Sequence, residues 1–351
     1  MGRAAEQRPV AQPLLRLRPR LTLPPRCIEW NPTMNEPAEP GATYTARCVL
    51  HSATGGTGRT TAAVMLARHL AGQGRQVLLV DLDVRSPGGR LMLGPGAALP
   101  RYGVLDAMEG SAAATADLVA PSAYTPGEGT GAIWVAPARG SNRPQHSSSL
   151  VAPRIDRLAA ALNACNAAVA EASGRYPDVV LIDAPTGIDP LADTALCDVS
   201  DFAFLFAADT ADTWDTYRDW FTSLLTSGQA PAMREQLRVV AAMAPGIGPN
   251  VAVRRQSLRE RAWDAFSILY DDDIPDPVTG RLDPNVFHPP LDDEAAPHYP
   301  LEILLLPSLI GLDTAGVAGW HEGRFVEAAF DGFVAAAGPL VTALLPERQP
   351  S

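Results

Sequence analysis

Between Ser52 and Thr61 the chain reads Ser-Ala-Thr-Gly-Gly-Thr-Gly-Arg-Thr-Thr, a run of residue types suited to holding an anion. Gly55, Gly56 and Gly58 let the backbone bend tightly, so that successive N–H groups converge on oxygens carrying negative charge. A helix opening directly behind the bend adds the positive end of its dipole. A triphosphate is the natural occupant: Thr60 stands where a hydroxyl ligates Mg²⁺, and Thr61 where a hydroxyl and an amide meet the α-phosphate. Glycines also serve plain strand-to-helix turns, so the loop needs partners before it carries an argument.

Two further segments supply them. Val77-Leu78-Leu79-Val80-Asp81-Leu82-Asp83 ends an apolar run with two acids, and Val179-Val180-Leu181-Ile182-Asp183-Ala184-Pro185-Thr186-Gly187 ends another with an acid and a Pro-x-Gly turn. Acids at the carboxyl end of a buried parallel strand sit at the crevice where such sheets bind ligands. Each aspartate alone could be a helix cap or a turn acid. All three segments in this order are much harder to obtain by accident.

These residues need strands and helices to position them. Residues 46–51 read as a strand, and residues 60–73 as a helix with Ala63, Val64, Ala67 and Leu70 on one face. Apolar runs at 77–80, 179–182, 202–206, 239–243 and 303–306 are continuous rather than alternating, the pattern of strands covered on both faces. The expected fold class is α/β: a doubly wound, mostly parallel sheet with helices on both faces.

The 351 residues are 46% hydrophobic with a net charge of -11 and a pI near 5.0, enough for one large domain or two small ones. A single domain over residues 43–348 is expected. Residues 1–42 read as a Pro/Arg-rich disordered leader, with Met34 as an alternative start; the first 26 residues are net +5, leaving -16 for the rest. Residues 271–299, rich in aspartate and proline, read as a solvated acidic insertion loop, although His288 and His298 raise the idea of a metal. The sequence shows no uncharged apolar run of about 18 residues and no secretory leader pattern, so a cytoplasmic location and no membrane association are expected. Cys27, Cys48, Cys165 and Cys197 include no C-x-x-C pair, which argues against a zinc site or disulfide framework and for small buried hydrophobes. All 28 basic residues are arginine; with the abundant alanine and proline this suggests GC-rich bacterial coding.

The glycine loop and the two acidic segments together resemble the ParA/MinD family of P-loop ATPases, whose deviant Walker A motif has the form K-G-G-x-G-K-[ST]-T. Residues 77–83 resemble the family's D-x-D segment at switch I, and residues 179–187 its D-x-P-x-G segment at Walker B and switch II. Residues 103–110 and 133–140 look like two further signatures of the branch with MinD-like, Mrp-like and tyrosine-kinase ATPase domains. The resemblance runs over residues 43–219 and weakens beyond. It implies that Gly55, Gly56, Thr57, Gly58, Arg59, Thr60 and Thr61 bind the phosphates of ATP. It further implies that Thr60 ligates magnesium, that Asp183 holds it through water, and that Asp83 orients the attacking water. Pro307, with Ser308, resembles the adenine-side turn, whereas Ala244-Pro245 stands where relatives carry an asparagine and a basic residue.

Two cationic positions depart from the pattern. Arg59 replaces the phosphate-binding lysine, and Thr54 replaces the lysine that reaches across a dimer in relatives. Arginine keeps the charge, but its planar fork does not substitute freely for a compact ammonium. Phosphoryl transfer depends on where that charge sits, so the expectation is retained Mg·ATP binding, with Arg59 catalytic but hydrolysis slow or dependent on an activating partner. Arg85 or Arg90 could replace the missing charge across a dimer, or simply lie in a solvated switch loop.

The expected function is a nucleotide-dependent switch that forms a homodimer and acts on an unidentified protein partner. The alternative is a non-hydrolysing, degenerate P-loop module or scaffold in a bacterial signalling or conflict system; a small-molecule kinase lacks an acceptor signature. Beyond the basic leader the acidic balance disfavours nucleic acid, although Arg254, Arg255, Arg259 and Arg261 could form a local basic patch. The segment 325–345 reads as core packing rather than a membrane helix. The C-terminus has no tyrosine-rich tail, and cysteine pairs for an iron–sulfur cluster are absent.

Overall fold

The computed structural model describes residues 45–110, 117–127, 131–142, 155–246, 248–272, 286–309 and 319–346. The leader, residues 1–42, and the centre of the acidic segment, 273–285, lie outside the described residues.

The continuous apolar runs form strands because each has two layers to satisfy. Alternate side chains of β1 (Ala46–Ser52), β2 (Val77–Asp81) and β5 (Val179–Asp183) face opposite sides of the sheet. Val49, Leu78, Val80, Val180 and Ile182 enter one core, which includes residues of α4 (Leu158–Ser173), α6 (Ala211–Thr226) and α8 (Val251–Phe266). Cys48, Leu50, Val77, Leu79, Val179 and Leu181 enter the other, beneath α1 (Arg59–Gly72) and α9 (Arg324–Thr342). Among the described residues, eight strands form one sheet in the order β3-β4-β2-β5-β1-β6-β7-β8. All neighbours are parallel except the short β3 (Ala120–Pro121), which runs antiparallel to β4 (Ile133–Ala136). β6 (Phe202–Ala207), β7 (Leu237–Pro245) and β8 (Leu301–Leu305) extend the sheet beyond β1.

The expected doubly wound sheet is therefore present. The chain leaves β1 for β2 on one side, returns to β5 between them, and then crosses to β6, so the reversal point falls at the carboxyl ends of β1, β2 and β5. Periodicity alone did not identify β3 and β4: at two and four residues, both are too short to show it.

The acidic segment differs from a solvated loop where it is described. His298 is fully buried and its Nδ1 lies 2.7 Å from the Tyr270 hydroxyl. Arg238 of β7 donates to the carbonyls of Ala296 and Glu294. Asp271 accepts from Arg234 at 2.7 Å and from the Phe287 amide at 2.8 Å. The segment lies against β7 because a buried guanidinium needs acceptors, and irregular backbone supplies free carbonyls. His288 meets the Asp271 carbonyl at 2.8 Å, so the contacts of both histidines are with protein. Among the described residues, no group of three or more His, Cys, Asp or Glu side chains is placed to hold a metal ion. Cys48 and Cys165 are buried as expected, Cys197 only partly, and Cys27 lies outside the described residues.

One described helix, α9, is long and apolar enough by length and composition to cross a membrane. Here Val326, Phe330, Phe333, Ala337 and Val341 of that helix are buried in the core, the packing role expected of the segment.

Candidate functional site

The Gly-rich bend joins β1 to α1 at the reversal point of the sheet. Gly56 and Gly58 have φ of 76° and 75°, and the left-handed Gly58 is the N-cap of α1, conformations that a Cβ would strain. A Cβ built on Gly55, Gly56 or Gly58 would meet nothing within 4 Å. These glycines therefore answer to backbone conformation and to open space rather than to packing. Within the described residues, the amides of Gly55, Gly56, Thr57 and Gly58 donate no hydrogen bond to protein. Four donors at a helix N-terminus without acceptors are what phosphate oxygens require. Thr57 is buried, and Thr61 is half-buried in the first turn of α1.

The acids converge beside the bend as expected. Asp183 pairs with Leu50 of β1 and with Asp81 of β2 in register, and Thr60 donates to it over 2.5 Å. Asp183 and Asp83 are each 1% exposed. Gly88, which the sequence reading did not single out, comes so close that a Cβ there would lie 2.6 Å from Thr60 Cγ2 and 3.4 Å from Asp183 Oδ2. The loop after Asp83 thus closes over the Thr60–Asp183 pair.

Arg59 sits differently from the sequence-based expectation of a phosphate ligand. Its side chain is 7% exposed and turned inward to the acids. Nε donates to Asp183, Nη2 lies 3.4 Å from Asp83, and Nη1 donates to the Ser52 hydroxyl at 2.9 Å and to that of Thr186 at 3.4 Å. Thr186 in turn donates to Asp83 over 3.3 Å. The physical reason is charge: buried carboxylates demand a counter-ion, and the fork of arginine reaches several acceptors at once.

Burial raises the pKa of Asp183, opposed by Arg59 and the Thr60 hydroxyl. Asp81 is pushed up to about 8 by burial and by the Asp183 charge, although the amides of Asp83 and Gly89 donate to it at 2.9 Å each. Asp81 thus shapes the turn after β2, whereas Asp83 faces Arg59.

Beneath the bend, the sequence reading passed over His51 and Tyr217. The Tyr217 hydroxyl accepts from the Ala53 amide at 3.2 Å and donates to the Phe206 carbonyl at 2.9 Å. His51 is fully buried, its Nε2 lies 3.1 Å from the Gly187 carbonyl, and its Nδ1 has no partner. The Gly187 amide donates to the Ser52 carbonyl at 2.9 Å. Only a neutral ring fits there, and burial lowers the His51 pKa to about 4. Since the unfolded histidine binds a proton below 6.5 and the folded one does not until about 4, this residue makes stability fall as pH drops through that window. His51→Gln keeps a donor toward Gly187 and removes the titration. In urea unfolding, wild type should lose stability relative to the variant by up to about 1.4 kcal/mol per pH unit there, and parallel curves would refute the assignment.

The remaining predicted positions spread out. Thr54 meets the Thr213 hydroxyl at 3.3 Å. Arg85, largely exposed, donates to the Thr186 carbonyl at 2.5 Å and pairs with Asp189 of its own chain; Arg90 is exposed. Pro307 is exposed, opening a short 3-10 turn after β8, with β6 and β7 between that edge strand and β1. In the basic cluster of α8, Arg255 pairs with Glu302, Arg261 with Asp209, and Arg259 covers the Tyr299 ring.

No curated protein matches the chain in sequence. Among solved structures it is similar to the MinC:MinD cell division protein complex of Aquifex aeolicus, with 17% identity, a TM-score of 0.54, and coverage of 88% of this chain and 100% of that one. It is also similar to pNOB8 ParA bound to nonspecific DNA, with 15% identity, a TM-score of 0.51, and coverage of 86% and 99%. At these identities the likeness is one of fold. Residues 48–208 match the family described as the CobQ/CobB/MinD/ParA nucleotide binding domain. That match takes in most of β1, the glycine bend, both acidic strands and the crossing to β6; over this stretch the chain is similar to that nucleotide binding domain, and its sheet has the fold of the MinD and ParA structures.

Proposed function

We propose that this chain binds Mg·ATP at the bend between β1 and α1 and works as a nucleotide-dependent switch for a partner protein, with slow or partner-activated hydrolysis. The observation that carries the reading is the set of amides from Gly55 to Gly58 without protein acceptors, on a bend whose glycines have open space at their Cβ positions, beside the Thr60–Asp183 pair. The donor set fits the group: amides and a helix N-terminus for phosphates, a threonine hydroxyl and a buried carboxylate for magnesium.

In this reading the amides of residues 55–61 orient the triphosphate. Thr60 and Asp183 would hold the metal, Thr60 through its hydroxyl and Asp183 through water. Magnesium, when bound, offsets negative charge on the phosphates. Asp83, at the end of the loop after β2, orients the attacking water, and Pro307 lies toward the base. Arg59 reaches phosphate only by leaving its acids, which agrees with slow turnover. Residues tied to Arg59 lie in both switch segments, Asp83 on one side and Asp183 and Thr186 on the other. Events at the phosphates therefore bear on loops that could meet a partner or a second copy of the chain. MinD of the similar complex is assembled with MinC, which supports a protein partner here.

The overall acidic charge does not exclude DNA. The similar ParA is bound to nonspecific DNA, and net charge says little about a local surface, so the acidic balance does not by itself disfavour nucleic acid.

Calorimetry with ATP and a non-hydrolysable analogue, with and without Mg²⁺, tests binding; absence of heat with both nucleotides would end this reading. Phosphate release should be slow in wild type and fall at least about tenfold further in Asp83→Ala, the scale of a lost positioning or base function. Mass measured with and without ATP tests the homodimer.

A further inference from the structure

Arg59 has the attributes of a ligand in its own site. Its guanidinium is held from four sides, by Asp183, Asp83, Ser52 and Thr186, and it is the charged partner of both buried acids. An ammonium at this position has three hydrogens on one nitrogen and could not reach all four groups, whereas the planar fork can. Arginine also stays charged throughout the range in which proteins fold. Thr60, the expected metal ligand, donates to the second oxygen of the carboxylate that Arg59 holds by the first.

We propose that Arg59 is a tethered cation that stands in for the divalent ion while the nucleotide is absent, so that metal enters only together with ATP as the guanidinium moves from the acids to the phosphates. The nucleotide half of this inference rests on the function proposed above; the exclusion of metal from the nucleotide-free site does not. Free magnesium or manganese meets Asp83 and Asp183 already paired, and would have to displace an arginine that cannot diffuse away. A triphosphate offers the guanidinium a new bidentate partner and brings its own metal, so the two exchanges proceed together. The same movement removes Arg59 from Asp83 and Thr186 and leaves the direct Thr186–Asp83 hydrogen bond between the two loops, so arrival of the phosphates loosens the tie between them.

The test uses Mn²⁺ as probe on the full chain, read by electron paramagnetic resonance and by melting temperature. Without nucleotide, Arg59→Gln should bind Mn²⁺ at least about tenfold more tightly than wild type, because two buried carboxylates are left without their cation. Mn²⁺ alone should raise the melting temperature of Arg59→Gln and leave that of wild type unmoved, a rescue that loss of mere packing would not produce. Arg59→Lys, which keeps the charge and loses the fork, should fall between the two and serves if Arg59→Gln does not fold. Equal Mn²⁺ affinity in nucleotide-free wild type and a folded Arg59 variant would overturn the proposal. ATP calorimetry on wild type is run in parallel: no ATP binding would sink the proposed function, while the Mn²⁺ contrast would still decide the role of Arg59.

Discussion

Replacing Asp183 by alanine is expected to lower unfolding free energy by about 3–5 kcal/mol and to remove magnesium-dependent ATP affinity, the first effect being what removal of one partner from a buried ion pair costs. Asp183 is 1% exposed and accepts from both Arg59 and Thr60. Its loss leaves a buried guanidinium without its main acceptor and a half-buried threonine hydroxyl without its partner. Asp183→Asn keeps the shape and one acceptor, so it should cost about half as much in urea while losing the same share of magnesium dependence. That split separates the role of the carboxylate in the fold from its role toward the metal. A fall of less than about 1 kcal/mol in Asp183→Ala, the worth of an exposed pair, would show that the cluster is open to solvent.

Gly58→Val should weaken ATP binding by roughly 100-fold or more, since it disturbs several charge-assisted amide bonds worth about 1.5–3 kcal/mol each. Gly58 has φ of 75° and caps α1, and a Cβ there would meet no protein atom within 4 Å. The penalty for folding is therefore backbone strain alone, about 1–3 kcal/mol, whereas the penalty for binding is a rotated amide and a side chain in the approach of the phosphates. Gly174, with φ of 82° and the same open surroundings at the end of α4, provides the control. Gly174→Val should cost similar stability and leave ATP affinity unchanged. Equal losses of affinity in the two variants would show that strain, not the cradle, governs binding.

The order of the three segments and their apolar runs made the fold readable. Val77 to Val80 and Val179 to Ile182 are apolar at every position because each strand faces two cores, and this two-sided burial leaves a mark on sequence that needs no partner to interpret. Short elements escaped: β3 and β4 have too few residues for any period. Residues 286–299 look solvated by composition, yet His298 is fully buried, because the acceptors that Arg238 needs come from carbonyls, which every residue type carries.

The site was legible wherever a residue's own chemistry set its task. Glycines at a bend, a threonine at the head of a helix and acids at strand ends have local causes, so Gly55 to Thr61, Asp83 and Asp183 could be named as candidates from sequence, with the family resemblance supplying their expected roles. Which way Arg59 turns, and that Tyr217 and His51 support the bend from below, are matters of distance between residues far apart in the chain. A long flexible cation goes to the strongest field within its reach, and that field exists only after β1, β2 and β5 have brought Asp83 and Asp183 to one edge of the sheet.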